Sequence, residues 1–246
     1  MNSPAPRRTV LGIIPARGGS KGIARKNIRL LCGKPLIAYS ATAALESACL
    51  NRVLLSTDDP EIARVGIELG LDVPFLRPSE LAADSTPMIA VVLHAIQWVQ
   101  SQGKAYDAIC LLQPTSPLRS PRSIDRCISL LWERDVDTVI SVRPVPPEYN
   151  PHWVYFETAG GLLHRSMGAC EPIPVRQKLP PAYHCDGSVF VVRTQVVITY
   201  GSLYGTRTLG SVSPEEEAFD LDTEEQWAEL EQKLKSTSPG RYGKQG

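Results

Sequence analysis

Charge of one sign is missing from this chain. Lysine plus arginine and aspartate plus glutamate each number 26 in 246 residues, so the net charge is zero. Such a chain has no bulk field for a nucleic-acid backbone or an anionic membrane, and neither is expected as a partner. Long hydrophobic runs are missing as well: no stretch approaches the roughly 20 apolar residues that cross a bilayer. The opening MNSPAPRRTV carries no apolar signal-peptide core, so a cytoplasmic location is expected. Cysteine is sparse, with residues scattered at 32, 49, 110, 127, 170 and 185 and no C-x-x-C or Cys/His metal spacing. These are expected to be small, reduced core residues. The histidines at 94, 152, 164 and 184 share no spacing, and no Ser-His-Asp order marks a nucleophilic triad. His94 falls within a predicted helix and reads as a satisfied structural residue. Two phosphate signatures are also absent: neither G-x-x-x-x-G-K-[ST] nor G-x-G-x-x-G occurs in the first glycine loop.

What is present is a third kind of phosphate loop. In TVLGIIPARGGSKGIARKN, residues 9–27, an apolar strand over 10–14 opens into glycines at 18, 19 and 22 and cations at Arg17, Lys21, Arg25 and Lys26. Glycine admits positive φ and close backbone approach. Successive N–H groups can form an anion-cradling nest, and Arg and Lys supply charge for phosphate oxygens. The competing reading is a surface βα turn solvated by its own charges.

Strand-like runs recur at 52–56, 73–76, 108–112 and 138–142. They are separated by predicted helices over 35–49, 59–70, 87–102 and 121–133. That alternation predicts an α/β fold, a mostly parallel sheet covered on both faces, with ligands beyond the carboxyl ends of its strands. The rhythm breaks at about residue 143 in a proline- and aromatic-rich stretch. Residues 145–186 are expected to form an extended arm or β-hairpin packing on a second subunit. Strands over 188–193 and 208–212 and a helix over 223–235 complete a single domain, residues 1–236, with a disordered tail at 237–246.

Asp220 and Asp222 flank Leu221 in FDLD. In extended backbone, residues i and i+2 point to one side, so both carboxylates can share a hard cation such as Mg2+. The alternative is a helix start, with Asp222 as N-cap and Glu225 three residues on. Arg176 could clamp a carboxylate bidentately from the proline-rich arm, beside Gln177. Gln113 follows a core strand, so its amide could face the cleft.

Six stretches occur in order: IPARGGSKGIARKN, LSTDDPEIA, FLRPSELAADST, LLQPTSPLRS, RQKLPPAYHCDGSVFV and FDLDTEEQW. Together, over residues 9–235, the chain resembles the acylneuraminate cytidylyltransferases, or CMP-sialic acid synthetases. The resemblance implies a Rossmann-like nucleotidyltransferase fold in three layers, with a protruding dimerisation arm and a homodimer. It implies transfer of CMP from CTP to the 2-hydroxyl of an acidic nine-carbon sugar, with Mg2+ as cofactor and pyrophosphate released. By the same resemblance, Arg17, Gly18, Ser20, Lys21 and Asn27 belong to the triphosphate loop, and Arg77, Asp84 and Ser85 lie near the nucleoside. Gln113, Arg176 and Gln177 fall on the sugar side, and Asp220 and Asp222 on the metal. Lys21, Arg17 and the two aspartates would carry the chemistry. Ala24 replaces a frequent proline, and Asp186-Gly187 replaces the usual Asn-Gly, so a sugar contact is not carried over to Asp186. No role is transferred to the arm stretch Asn150-Pro151-His152-Trp153. Alternatives are transfer to legionaminate, pseudaminate or 3-deoxy-manno-octulosonate, a guanylyl- or uridylyltransferase, and a noncatalytic nucleotide-binding protein on the same fold.

Overall fold

The structure is a computed structural model that describes residues 8–19, 22–168, 171 and 173–237. Strand β1 (Val10–Pro15) is buried at every position. A strand in mid-sheet, covered on both faces, has no side turned to water, and VLGIIP accordingly shows no polar alternation. After the loop come two short strands, β2 (Leu30–Leu31) and β3 (Lys34–Pro35), then helix α1 (Leu36–Leu45). The chain continues through β4 (Arg52–Ser56), α2 (Pro60–Glu68), α3 (Met88–Ser101), β5 (Ala108–Leu111), α4 (Pro121–Glu133) and β6 (Thr138–Pro144). A small hairpin, β7 (Tyr155–Glu157) with β8 (Leu163–Arg165), precedes β9 (Tyr183–Arg193), α5 (Thr194–Tyr200), β10 (Thr208–Val212) and α6 (Glu224–Thr237).

The main sheet runs β10-β6-β9-β5-β1-β4. β4 and β5 pair with β1 in parallel and β10 pairs with β6 in parallel, while β9 is antiparallel to both β5 and β6. Helices α1, α2 and α4 pack on one face through Ile37, Ile62, Ile124 and Ile128. Helices α3 and α5 cover the other through Val92, Ile96 and Val197. The expected three-layer, mostly parallel α/β architecture is therefore present.

A third apolar cluster positions the site. Ile23 in the glycine loop, Leu31, Leu36, Leu221, Trp227 and Leu230 bury one another. Leu221 is fully buried, which is worth about 2 kcal/mol of apolar transfer. Its insertion turns the aspartates on either side outward and docks α6 against the first loop.

Several expectations need correction. The predicted strand over 73–76 does not form. Asp72 makes one isolated bridge with Leu54, and Pro74, which has no N–H to donate, leads the chain away from the sheet. α1 stops at Leu45 with Glu46 as its C-cap, so residues 46–49 are not helical. The final helix runs to Thr237 and includes Ser236; the rest of the expected tail, residues 238–246, lies outside the described residues. Cys110 and Cys127 are core residues, their thiols pushed up by burial, Cys127 to about 11. Cys185, however, is exposed, and Cys170 lies outside the described residues. His94 is not satisfied: its buried Nδ1 has no hydrogen-bond partner among the described residues. The ring packs edge-on against Phe75 at 4.6 Å, and burial pushes its pKa down.

Candidate active site

The glycine loop leaves the carboxyl end of β1 and opens onto a cleft of about 300 Å³ lined by Arg17, Gly19, Lys26, Asn27, Arg77, Asp84, Gln113, Thr115 and Asp222 among others. Close approach, not positive φ, explains Gly18 and Gly22, while a Cβ on Gly19 would meet nothing within 4 Å. Neither Gly18 nor Gly22 is left-handed, whereas Arg25 is, at φ 54°. A Cβ on Gly18 would stand 2.6 Å from Asp59 Oδ2, and one on Gly22 only 2.3 Å from the main-chain oxygen of Asp222. The second distance brings residues 200 positions apart into direct backbone contact. Lys26 reinforces the join: its Nζ donates to Leu221 O at 3.0 Å and to Asp222 Oδ1 at 2.9 Å.

Asp222 is also free of capping duty. Thr223 is the residue that caps α6, accepting from Gln226 N at 3.3 Å, while Gln226 Oε1 accepts from the N–H groups of Thr223 and Asp222. This is a capping box one residue later than the Asp222/Glu225 pair considered from sequence. Asp220, though exposed and not among the residues lining the cleft, has its pKa raised. Dense protein around the carboxyl is the first cause and the Asp222 charge the second; the Thr115 hydroxyl, Lys26 and Arg143 oppose them.

Arg77 and the residues around it are held by a second set of contacts. Arg77 is buried at 5% exposure. Burial lowers its pKa, Asp58 opposes that shift, and the two side chains approach to 3.5 Å. Asp58 also accepts from Gly18 N at 3.1 Å, so Gly18 backs the loop instead of facing the cleft. Arg17 pairs with Asp84, and Asn27 Nδ2 donates to Arg17 O at 2.9 Å. Ser85 is exposed next to Asp84 and does not line the cleft. Ser20 and Lys21 lie outside the described residues. Arg176 and Gln177 fall on an exposed 3-10 turn, Arg176–Lys178, and neither lines the cleft. Asp186 is buried at 5% exposure. Its carboxylate accepts from the hydroxyls of Ser141 and Ser213 and from Ser188 N–H, inside an irregularity where β9 crosses β6. It is a core residue.

Sequence reasoning assigned no role to Lys26 or Thr115. Lys26 was visible as one of several loop cations, but nothing local says that it reaches residue 222. Among the described residues no group of three or more metal-ligand side chains forms.

A cationic glycine loop at the carboxyl end of a central parallel strand, joined to Asp222 through Gly22 and Lys26 beside one cleft, places this protein among the α/β nucleotidyltransferases. Comparison with known proteins narrows the class. A family model described as Cytidylyltransferase matches residues 11–158, and the chain belongs to that family. It is 35% identical over 230 residues to a CMP-N,N'-diacetyllegionaminic acid synthase of Legionella pneumophila, covering 92% of this chain and 95% of that one. It is 32% identical over 240 residues to an N-acylneuraminate cytidylyltransferase A of Danio rerio, and there it spans 53% of the relative's length. Among solved structures, a CMP:2-keto-3-deoxy-manno-octonic acid synthetase complexed with CTP superposes with TM-score 0.68 at 16% identity, covering 94% of this chain and all of that one. At that identity the likeness concerns the fold alone.

Proposed function

We propose that this protein transfers CMP from CTP to the 2-hydroxyl of an N-acylneuraminate or a related nonulosonic acid, releasing pyrophosphate. The observation that carries the reading is the contact of Gly22 with the Asp222 backbone, which sets Arg17, Lys26 and Asp222 around one cleft of about 300 Å³, with Asp220 two residues away. In the reaction the hydroxyl oxygen bonds to the α-phosphorus as the bond to the β-phosphate bridging oxygen breaks. The hydroxyl proton is released and pyrophosphate departs. Arg17 and Lys21 offset the charge growing on the leaving phosphates, a preorganised electrostatic contribution. Arg77, immobilised by Asp58, faces the nucleoside end, and Gln113 presents its amide to the sugar.

Asp220 and Asp222 suit a hard divalent cation. Their donors are carboxylate oxygens two residues apart, and a shared cation would offset the repulsion between them. Bound Mg2+ would supply Lewis-acid charge for the phosphates. Lys26, which touches both Leu221 and Asp222, holds the pair's backbone in place. Chelation with EDTA is expected to abolish turnover and added Mg2+ to restore it; full activity in EDTA would remove the metal from the account.

The similarity to the legionaminic acid synthase covers both chains almost completely, so diacetyllegionaminate stands beside N-acetylneuraminate as acceptor. Pyrophosphate release across four NTPs, crossed with neuraminate, legionaminate, pseudaminate and 3-deoxy-manno-octulosonate, tests the whole reading. CTP with a nonulosonic acid is the expected productive pair. Release only with GTP or UTP, or none with any acid, overturns it.

We further propose a cytoplasmic homodimer, and the arm supports the dimer. Phe156, Leu162 and Leu163 are 57%, 73% and 66% exposed on and beside its hairpin, a patch that water disfavours and a second subunit would cover. Arg176 and Gln177 lie on the same segment. Sedimentation at twice 26.9 kDa, reverting to monomer in Leu163→Asp, is expected; a wild-type monomer refutes the dimer. No helix among the described residues is long and apolar enough to cross a membrane.

A further inference from the structure

Arg119, the last residue of QPTSPLR, is 4% exposed and does not line the cleft. Its Nη2 donates to the carbonyl oxygen of Gln113 at 2.6 Å and its Nη1 to Ser40 Oγ at 3.3 Å. The same Gln113 oxygen accepts from Ser116 N at 3.3 Å. Two residues on, Thr115 O accepts from Leu221 N at 2.9 Å, and Leu221 is the buried residue between the two aspartates. On the other side, Gly187 leaves 3.7 Å between the place a Cβ would occupy and Gln113 Nε2. A single buried guanidinium therefore stands behind the turn that carries the sugar-side amide and, one hydrogen bond further, the acid pair.

We infer that Arg119 is a positioning residue for this reaction, fixing the 113–118 turn so that the Gln113 amide and the Asp220/Asp222 pair keep one register. The inference rests on the proposed function for the identity of the substrate, but not for the register itself. Burying a cation is costly, and here Nη1 and Nη2 are hydrogen-bonded while the buried Nε has no partner among the described residues. The planar fork reaches two acceptors on different elements, which the single ammonium of lysine does not reproduce. Burial lowers the guanidinium pKa to about 10, with Asp186 and Glu217 opposing, so it stays charged at neutral pH.

The test is Arg119→Lys, with hydrogen exchange, CTP affinity and sugar kinetics measured together. Loss of a charge-assisted hydrogen bond predicts a drop of about 30-fold in kcat/KM for the acidic sugar. The CTP dissociation constant is expected to stay close to that of the wild type. Amide exchange should speed up at Ser116 and Leu221 and not in β1. Equal losses toward CTP and sugar with exchange raised throughout would make Arg119 an ordinary core residue, and unchanged kinetics and exchange would equally overturn the inference. Should Arg119→Lys not fold, Ser40→Ala removes one acceptor and is expected to move the same readouts in the same direction by a smaller factor; no selective shift there is also a refutation. If the wild type turns over no nucleotide and acid pair, the functional reading fails, while the exchange comparison still decides the register.

Discussion

Alanine at Gly22 is the most demanding perturbation of this site, because it adds one methyl group at the point where its two halves touch. The new Cβ would lie 2.3 Å from the main-chain oxygen of Asp222. Carbon–oxygen contacts settle at about 3.3 Å or beyond, so the glycine loop and the acid pair must part by about 1 Å. No side-chain rotation relieves the overlap, since the opposing atom is backbone. A displacement of that size between reacting groups costs on the order of 100-fold in rate, about 2.7 kcal/mol of barrier. Forced overpacking adds about 1–3 kcal/mol of lost stability. Pyrophosphate release with CTP and the acidic sugar reads the first, and a thermal melt reads the second. The double variant with Asp222→Ala is informative in the melt: truncating that side chain leaves the clashing oxygen in place, so it should not restore the stability lost in Gly22→Ala. Wild-type turnover in a folded Gly22→Ala protein would show that the loop and the acids need not be apposed, and the mechanism would fall with it.

Other outcomes follow from single contacts. Asp222→Ala and Lys21→Ala are each expected to lose about 100-fold in turnover, the scale of one preorganised electrostatic contact, while melting near the wild-type temperature; near-normal rates contradict the assigned roles. Lys26→Met removes the bonds to Leu221 O and Asp222 Oδ1 and is expected to lower kcat/KM about 10-fold, on the scale of one hydrogen bond to a charged group; an unchanged value would make that bridge incidental. Asp186→Ala strands buried hydroxyls and should destabilise by about 1–3 kcal/mol without changing which sugar is preferred; a switch in preference would place Asp186 at the sugar after all. Asp59 caps α2 through the N–H groups of Glu61 and Ile62, and its hydrogen bond to Arg25, first among the causes, holds its pKa below the ordinary 3.8. A depressed carboxylate contributes stability that is complete above its ordinary pKa and is lost as pH falls through the folded value. Asp59→Ala should therefore cost about 1 kcal/mol at neutral pH, and its stability gap to the wild type should close below about pH 4; a gap that persists in acid would contradict the cap.

The helix starts were legible where the signal is local. Asp59-Pro60 and Ser120-Pro121 each cap a helix where the residues say so, because a cap is made by a side chain and amides two or three positions away. The strand at 73–76 misled because an apolar run carries no information about whether a neighbouring edge is available, and Pro74 cannot donate to one. The cap of α6 slipped by one residue because Asp222/Glu225 and Thr223/Gln226 both satisfy the pattern. Only the packing of Leu221 into the Ile23–Trp227 cluster chooses between them.

By itself the order of residues determined the alternation of strands and helices, the cationic glycine loop after the first strand, and two carboxylates sharing one side of an extended stretch. These follow from side-chain period and backbone sterics, which act over a few positions. Only the tertiary structure decided that Gly22 meets the backbone of Asp222, that Lys26 spans them, that Arg119 reaches Ser40, and that Asp186 is spent on two core serines. Those contacts join positions tens to 200 residues apart, where no local preference reaches and the burial of shared apolar surface sets which segments meet.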